Sequence, residues 1–289
     1  MKKNDIGYGS KNGINNVTYG EDNAEEKGNS MDNAETRISN EDALFHIKDG
    51  LTQLEKTLKG DGYAFSNLIC KNKNLDHIPK EIEKYIHLKY INMSHNKIED
   101  IDMLYELNNV VFLDISYNLI KNLKKIASLC LKNCVYLNLS HNLIKNVEDI
   151  KMTNIIELDL SYNNIEKMNI YFSNTVKKLN LSNNNISNLD FKNKLNDLES
   201  LDLSSNPIKN LEFFEITPNI NYLKINNNTT LPISQLANLN SFKGLQYLDM
   251  QNYLYFKDIS YEEVMQILIK NTKDIKLKMF NGKLIDNKA

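Results

Sequence analysis

The sequence predicts an α/β solenoid: a curved parallel sheet of about nine short strands, a helical or irregular convex side, and helical caps. Three observations predict it. An eleven-residue pattern of apolar residues and asparagine recurs from residue 65 onward. Its units follow one another every 21 to 25 residues, the spacing of stacked repeats rather than of a single-core domain. Segments with helical periodicity stand at both ends of the run.

Composition sets the frame. Of 289 residues, 41% are hydrophobic, enough for a continuous core, and the formal net charge is −2. Nothing in that balance draws the chain as a whole toward nucleic acid or an anionic membrane. Three cysteines, Cys70, Cys130 and Cys134, make an odd set with no disulfide-like spacing. No apolar stretch follows the first residues, and nowhere do apolar residues run long enough for a transmembrane helix. The expectation is an intracellular, reduced protein, cytoplasmic or nuclear.

Residues 1–38 are rich in Asn, Gly, Glu, Asp and Lys, with few apolar residues and no periodicity. Such a stretch cannot bury enough surface to offset its ordering entropy, so it is expected to be a disordered tail. Residues 39–60 read as an N-terminal capping helix. Ser39 and Asp42 sit at capping-box spacing, Leu44, Ile47, Leu51, Leu54 and Leu58 form one apolar stripe, and Gly60 and Gly62 end it.

Residues 61–255 carry the repeats, in the form L-x-x-L-x-L-x-x-N-x-L. Val110–Ile120, Cys134–Ile144, Ile155–Ile165, Val176–Ile186 and Leu198–Ile208 show it plainly, and Leu88–Ile98 matches. Phe65–Leu75 has Lys73 in the asparagine place, and Ile220–Thr230 ends on Thr230. A ninth unit begins at Leu245 with Asn252 one place early and Tyr253 in its slot. In each unit the L-x-L pair points to one side of a short strand and the intervening residue to the other. The asparagines Asn96, Asn118, Asn142, Asn163, Asn184, Asn206 and Asn228 fall where the chain turns inward, and their amides are expected to bond turn backbone. Ile78, Ile101, Leu123, Val147, Met168, Leu189, Leu211 and Ile233, three places beyond each unit, extend the core. These are leucine-rich repeats, and the predicted architecture is a leucine-rich-repeat solenoid.

Residues 256–289 read as a C-terminal cap. Ser260, Tyr261, Glu262 and Glu263 open an amphipathic helix with a capping box, and Phe280-Asn281-Gly282-Lys283-Leu284-Ile285 follows. With the short form N-x-I-x-x-I/L, as in Asn96–Ile101 and Asn206–Leu211, this ending resembles the SDS22-like class of leucine-rich repeats over roughly residues 65–285. The resemblance implies a binding module whose concave sheet takes a protein partner. It implies a regulatory subunit or scaffold, with a phosphatase catalytic subunit as one partner, protein phosphatase 1 being the partner of the name-giving member. Axonemal, cytoskeletal and RNA–protein assemblies are the other settings that the class implies.

The outward columns of the concave face follow from the pattern. One reads Tyr90, Phe112, Tyr136, Glu157, Lys178, Ser200, Tyr222, Tyr247; a second reads Asn92, Asp114, Asn138, Asp159, Asn180, Asp202, Lys224, Asp249. A third, nearer the turn, reads His95, Tyr117, His141, Tyr162, Asn183, Ser205, Asn227. Exposed, clustered tyrosines are typical interface anchors. The expected partner site is therefore Tyr90, Phe112, Tyr117, Tyr136 and Tyr162, with Asp114, Glu157 and Asp159 selecting a basic surface. His95 and His141 lie two units apart, too far to share one metal ion. Cys70 and Cys134 fill apolar positions. Gly7-Tyr8-Gly9-Ser10 lacks the strand and helix of a phosphate loop. No catalytic constellation, cofactor motif or metal site is expected. Lysines beside the last apolar positions, such as Lys121, Lys145 and Lys209, leave RNA binding at the rim as the competing reading.

Overall fold

Each repeat turns a three-residue strand into one rung of a ladder, because only alternate residues are needed to fill the inside of the coil. The computed structural model describes residues 37–57, 59–123, 132–152, 154–172 and 175–285, with backbone alone at 148–152 and 169. The first elements of the described residues are a helix, α1 (Asn40–Asp49), and a hairpin of β1 (Leu51–Lys56) and β2 (Tyr63–Ile69). Rungs follow at β3 (Tyr90–Asn92), β4 (Phe112–Asp114) and β5 (Tyr136–Asn138). On the convex side β6 (Asn146–Met152) precedes rung β7 (Glu157–Asp159), and β8 (Lys167–Phe172) precedes rung β9 (Lys178–Asn180). The rungs continue as β10 (Ser200–Asp202), β11 (Tyr222–Lys224) and β12 (Tyr247–Asp249). The last described elements are α2 (Tyr261–Asn271), β13 (Met279–Phe280) and β14 (Lys283–Leu284).

Among the described residues, twelve strands form one sheet in the order β1-β2-β3-β4-β5-β7-β9-β10-β11-β12-β13-β14. The pairs from β2 to β13 are parallel, and β1 and β14 close the two edges antiparallel. The nine expected units are all present, and β13 adds a tenth parallel rung. The fold is a leucine-rich-repeat solenoid. Between the rungs the described residues include 3-10 turns at Lys80–Lys84, Asp102–Leu104, Glu212–Glu215 and Ile233–Ser241, and β6 and β8 form a second, two-stranded parallel sheet.

The central apolar residues Leu68, Ile91, Leu113, Leu137, Leu158, Leu179, Leu201, Leu223 and Leu248 are all buried. The turn asparagines act as expected and also tie neighbouring units. Asn163 Oδ1 accepts from Ile144 N–H of the preceding unit at 3.0 Å. Its Nδ2 donates to Leu139 O and Leu160 O, each at 3.0 Å. Asn118, Asn142, Asn184 and Asn206 repeat the arrangement. In the ninth unit Tyr253 takes the place of asparagine, and its hydroxyl donates to Leu231 O at 2.9 Å.

Three expectations are corrected. The first helix does not run to residue 60 but ends at Asp49. Leu51 and Leu54 lie on β1 opposite Leu68 and Phe65, so the apolar stripe there belongs to an edge strand. The reason is Gly50, where a Cβ would lie 2.5 Å from Ile69 O and 2.7 Å from Cys70 Sγ; the chain must pass close to β2 and leave the helix. Second, the folded part starts before residue 39. Ile38 packs against the core and its N–H donates to Asp76 Oδ2 at 3.2 Å. Third, Ile233 is exposed, because Leu231 takes the core place that Thr230 vacates in the eighth unit. The expected disorder of the tail concerns residues that, from 1 to 36, lie outside the described residues, as does Cys130. Cys70 and Cys134 are buried, as their apolar positions in the repeat require, and burial pushes the Cys70 thiol up to about 12.

Candidate functional site

Parallel pairing in register places equivalent residues of successive units side by side, about 4.8 Å apart. That distance is close to ring-stacking separation, so a column of aromatic residues on adjacent rungs must stack or splay. Here they stack. Tyr90, Phe112 and Tyr136 form a row with ring centroids 4.3 and 4.4 Å apart and interplanar angles of 8° and 1°. The strands align these positions as Tyr90↔Phe112 and Phe112↔Tyr136.

A second row stands at the turn. His95, Tyr117, His141 and Tyr162 stack with centroids 4.1, 3.9 and 4.1 Å apart. All four have left-handed backbone, with φ between 53° and 56°. Asn183, Ser205, Asn227 and Asn252 hold the same conformation in later units. Asparagine suits that region, whereas a bulky ring there is uncommon. Tyr117 and Tyr162 remain 43% and 50% exposed.

The sequence-predicted residues are thus brought together as two parallel rows, except for the three carboxylates, which differ among themselves. Glu157 is neutralised within the chain by Lys178, whose Nζ lies 2.6 Å from Oε1. Asp114 and Asp159 belong to the column between the rows. Asp114 Oδ1 accepts the Ser116 N–H and hydroxyl at 3.0 and 2.7 Å, and Asp159 Oδ1 does the same with Ser161 at 2.9 and 2.6 Å. Burial first, then Asp114, Asp159 and Glu157, raises the Tyr136 hydroxyl above the ordinary tyrosine value. Burial lowers His141, against a smaller opposite pull from Asp159.

Beyond Tyr136 the first row breaks. A shallow depression of about 240 Å³ opens over Glu157, Asp159, Lys178, Asn180 and Asp202, with Tyr136 and Tyr222 also lining it. The ring stacking itself is what sequence reasoning missed, together with the Glu157–Lys178 pair. It also missed a second polar ladder, in which Asn109, Asn133 and Asn154 donate to Ile86 O, Asn108 O and Lys132 O. The signal for that ladder was an asparagine just before the first apolar residue of four units, Asn109, Asn133, Asn154 and Asn219.

Among the described residues no group of three or more His, Cys, Asp and Glu could hold a metal ion, and no helix is long and apolar enough to cross a membrane. The lysine rim is charge-paired where two of its members are concerned. Lys121 lies 3.2 Å from Glu99 and Lys145 lies 3.2 Å from Glu166.

Comparison with known proteins agrees with the repeat architecture. Residues 66–120 match the family model described as leucine rich repeat, residues 151–167 a further leucine rich repeat model, and residues 174–216 a model of two leucine rich repeats. A relative is leucine-rich repeat-containing protein 23 of Bos taurus, 33% identical over 76 residues, which are 26% of this chain and 22% of that protein. The match therefore spans less than a quarter of that relative's length. Among solved structures, an internalin (inlF) of Listeria monocytogenes superposes with a TM-score of 0.54 at 18% identity, covering 83% of this chain and 75% of that one. A TLR13–ssRNA13 complex gives 0.50 at 18%, covering 82% and 41%. At these identities the likeness concerns the fold.

Proposed function

We propose that this leucine-rich-repeat solenoid is a protein-interaction module whose partner docks on the concave sheet over the second to fifth units. One observation carries the reading: seven rings stand in two stacked rows on a face that no element of the described chain covers. Such rings are pre-ordered by stacking, so little side-chain entropy is lost when a partner settles on them. Four of them sit at turns where asparagine would be easier on the backbone, a feature that folding alone does not call for. Paired lysines at the rim make a phosphate-binding role the weaker alternative.

The resemblance to SDS22-like repeats gives the partner class to try first, a phosphatase catalytic subunit held by a regulatory subunit or scaffold. The experiment mixes the full chain with purified protein phosphatase 1 catalytic subunit and, in parallel, recovers partners from native cells by affinity capture. Phe112→Ala with Tyr136→Ala should abolish capture while circular dichroism shows an intact fold, since central aromatic anchors typically cost about 2 kcal/mol or more each. Ser200→Ala, further along the first column, should leave capture unchanged. Undiminished capture by the folded aromatic double variant would move the site off this face, and capture of other proteins but not the phosphatase would remove the regulatory reading.

A further inference from the structure

Between the aromatic rows runs the column Asn92, Asp114, Asn138, Asp159, Asn180, Asp202, Lys224 and Asp249, each residue aligned with its neighbour on the next rung. No two carboxylates in it are adjacent. Towards its far end the acids have partners in the chain. Lys224 Nζ is 3.8 Å from Asp202 Oδ2, and the Tyr222 hydroxyl donates to Asp249 Oδ2 at 2.6 Å.

Asp114 and Asp159 are different. Besides their serine bonds, Asp114 Oδ2 accepts from Asn92 Nδ2 at 3.5 Å and Asp159 Oδ2 from Asn180 Nδ2 at 3.0 Å. All these donors are neutral, and among the described residues no cation pairs with either carboxylate. The two stand on either side of β5, two strand spacings or about 10 Å apart. Tyr136 and Asn138 lie on the rung between them, and the two aromatic rows wall the gap on both sides.

Resting on the concave-face reading above, we infer that this gap is an arginine site: the partner segment places a guanidinium over Asn138, between Asp114 and Asp159, with its stem along the Phe112–Tyr136 row. Charge complementarity chooses the occupant. A guanidinium spreads its charge and donors over the opposite edges of a flat fork, so that it draws on a carboxylate to either side without touching both, whereas an ammonium is a compact point charge that settles against one of them. The aliphatic stem of arginine lies against apolar ring surface while its head stays on the acids. Lys178, committed to Glu157 one rung away, does not compete for the gap.

The test uses the full chain and bead-displayed heptapeptide libraries with randomised flanks and a fixed central arginine, lysine or citrulline. Retention of the arginine library should exceed that of citrulline, which keeps the shape and loses the charge, by about tenfold, with lysine between them. Asp114→Asn and Asp159→Asn should each reduce the preference, and the double variant should abolish it. These variants keep the fold because asparagine already serves in this column: Asn92 Oδ1 accepts the Ser94 N–H and hydroxyl at 3.0 and 2.8 Å. Asp202→Asn should leave the preference intact. Equal retention of the three libraries, or an arginine preference that survives the double variant, overturns the arginine site. If retention then still depends on Phe112 and Tyr136, the concave-face reading stands without it; indifference to both sets of substitutions overturns both.

Discussion

At the scale of single residues, the turn asparagine is the piece that cannot be exchanged. Its oxygen and nitrogen must both be present, since Asn163 accepts one buried N–H and donates to carbonyls of two successive units. Alanine would orphan the Ile144 N–H and remove a link between units, at about 1–3 kcal/mol for each group left unpaired. Asn163→Ala should therefore lower the denaturation midpoint by the equivalent of at least about 2 kcal/mol. Asn228 is a useful contrast. Its Oδ1 accepts from Thr230 and Leu231 of its own unit at 3.0 and 2.7 Å, so it holds a local turn and does not reach back with its oxygen. Chemical denaturation of the two alanine variants compares them. An Asn163→Ala midpoint equal to wild type would contradict the ladder. The aromatic residues obey a related economy of place: which column they occupy was readable from alternation along each strand, because Phe112 and Asp114 flank buried Leu113. That they stack was not, since stacking depends on ring orientation across rungs rather than on order along the chain. The pairing of Glu157 with Lys178 was hidden for the same reason: the two are 21 residues apart in sequence and neighbours only in the sheet.

At the scale of elements, the repeats were legible because the same requirement recurs nine times, and a single misread position changes little. The ends have no such redundancy. The spacing of Leu44, Ile47, Leu51, Leu54 and Leu58 fits a helix as well as any sequence can, yet the chain becomes a strand at Leu51. Tertiary demand prevails there: β2 offers an open edge, and β1 pairs with it while α1 covers the core with Ala43 and Ile47. The convex β6–β8 pair was equally illegible, as nothing in its local pattern distinguishes it from the extended loops of other units. Gly50 decides between the two readings of the N-terminal cap. Were residues 39–60 one helix, Gly50→Ala would stabilise it by about 0.5–1 kcal/mol. In the observed arrangement the added methyl meets Ile69 O at 2.5 Å, and backbone must move. Gly50→Ala is expected to destabilise the protein by about 1–3 kcal/mol, the usual cost of overpacking. Thermal melting gives the sign, and a raised melting temperature would restore the long helix.

At the scale of the whole molecule, a solenoid has two open ends that a globular domain lacks, and each must be closed by something other than a repeat. Here both closures use the same device, an antiparallel strand at the sheet edge with a helix nearby. At the C-terminal end β13 pairs with β12, and β14 turns back on β13 through Asn281 and Gly282, whose φ values of 49° and 76° suit a tight hairpin. Asn281 also accepts the Met250 N–H at 2.6 Å, so the cap satisfies backbone of the last full unit. Val264, Leu268, Leu277 and Phe280 of this segment are buried, and Phe256 packs edge-on against Tyr253 at 4.8 Å. Truncation after Tyr255 would strip all of this from β12. It would leave a row of unpaired backbone groups beside exposed apolar surface, which is a template for joining another copy edge to edge. Because units hold only their neighbours, the loss would start at that end and spread inward rather than be shared by a common core. The truncated chain should melt at a lower temperature than the full chain and, in static light scattering, show a mass that grows with concentration and time. A truncated chain with the mass and melting temperature of the full one would mean that β12 closes its own edge, and that the last 34 residues serve something other than the stability of the coil.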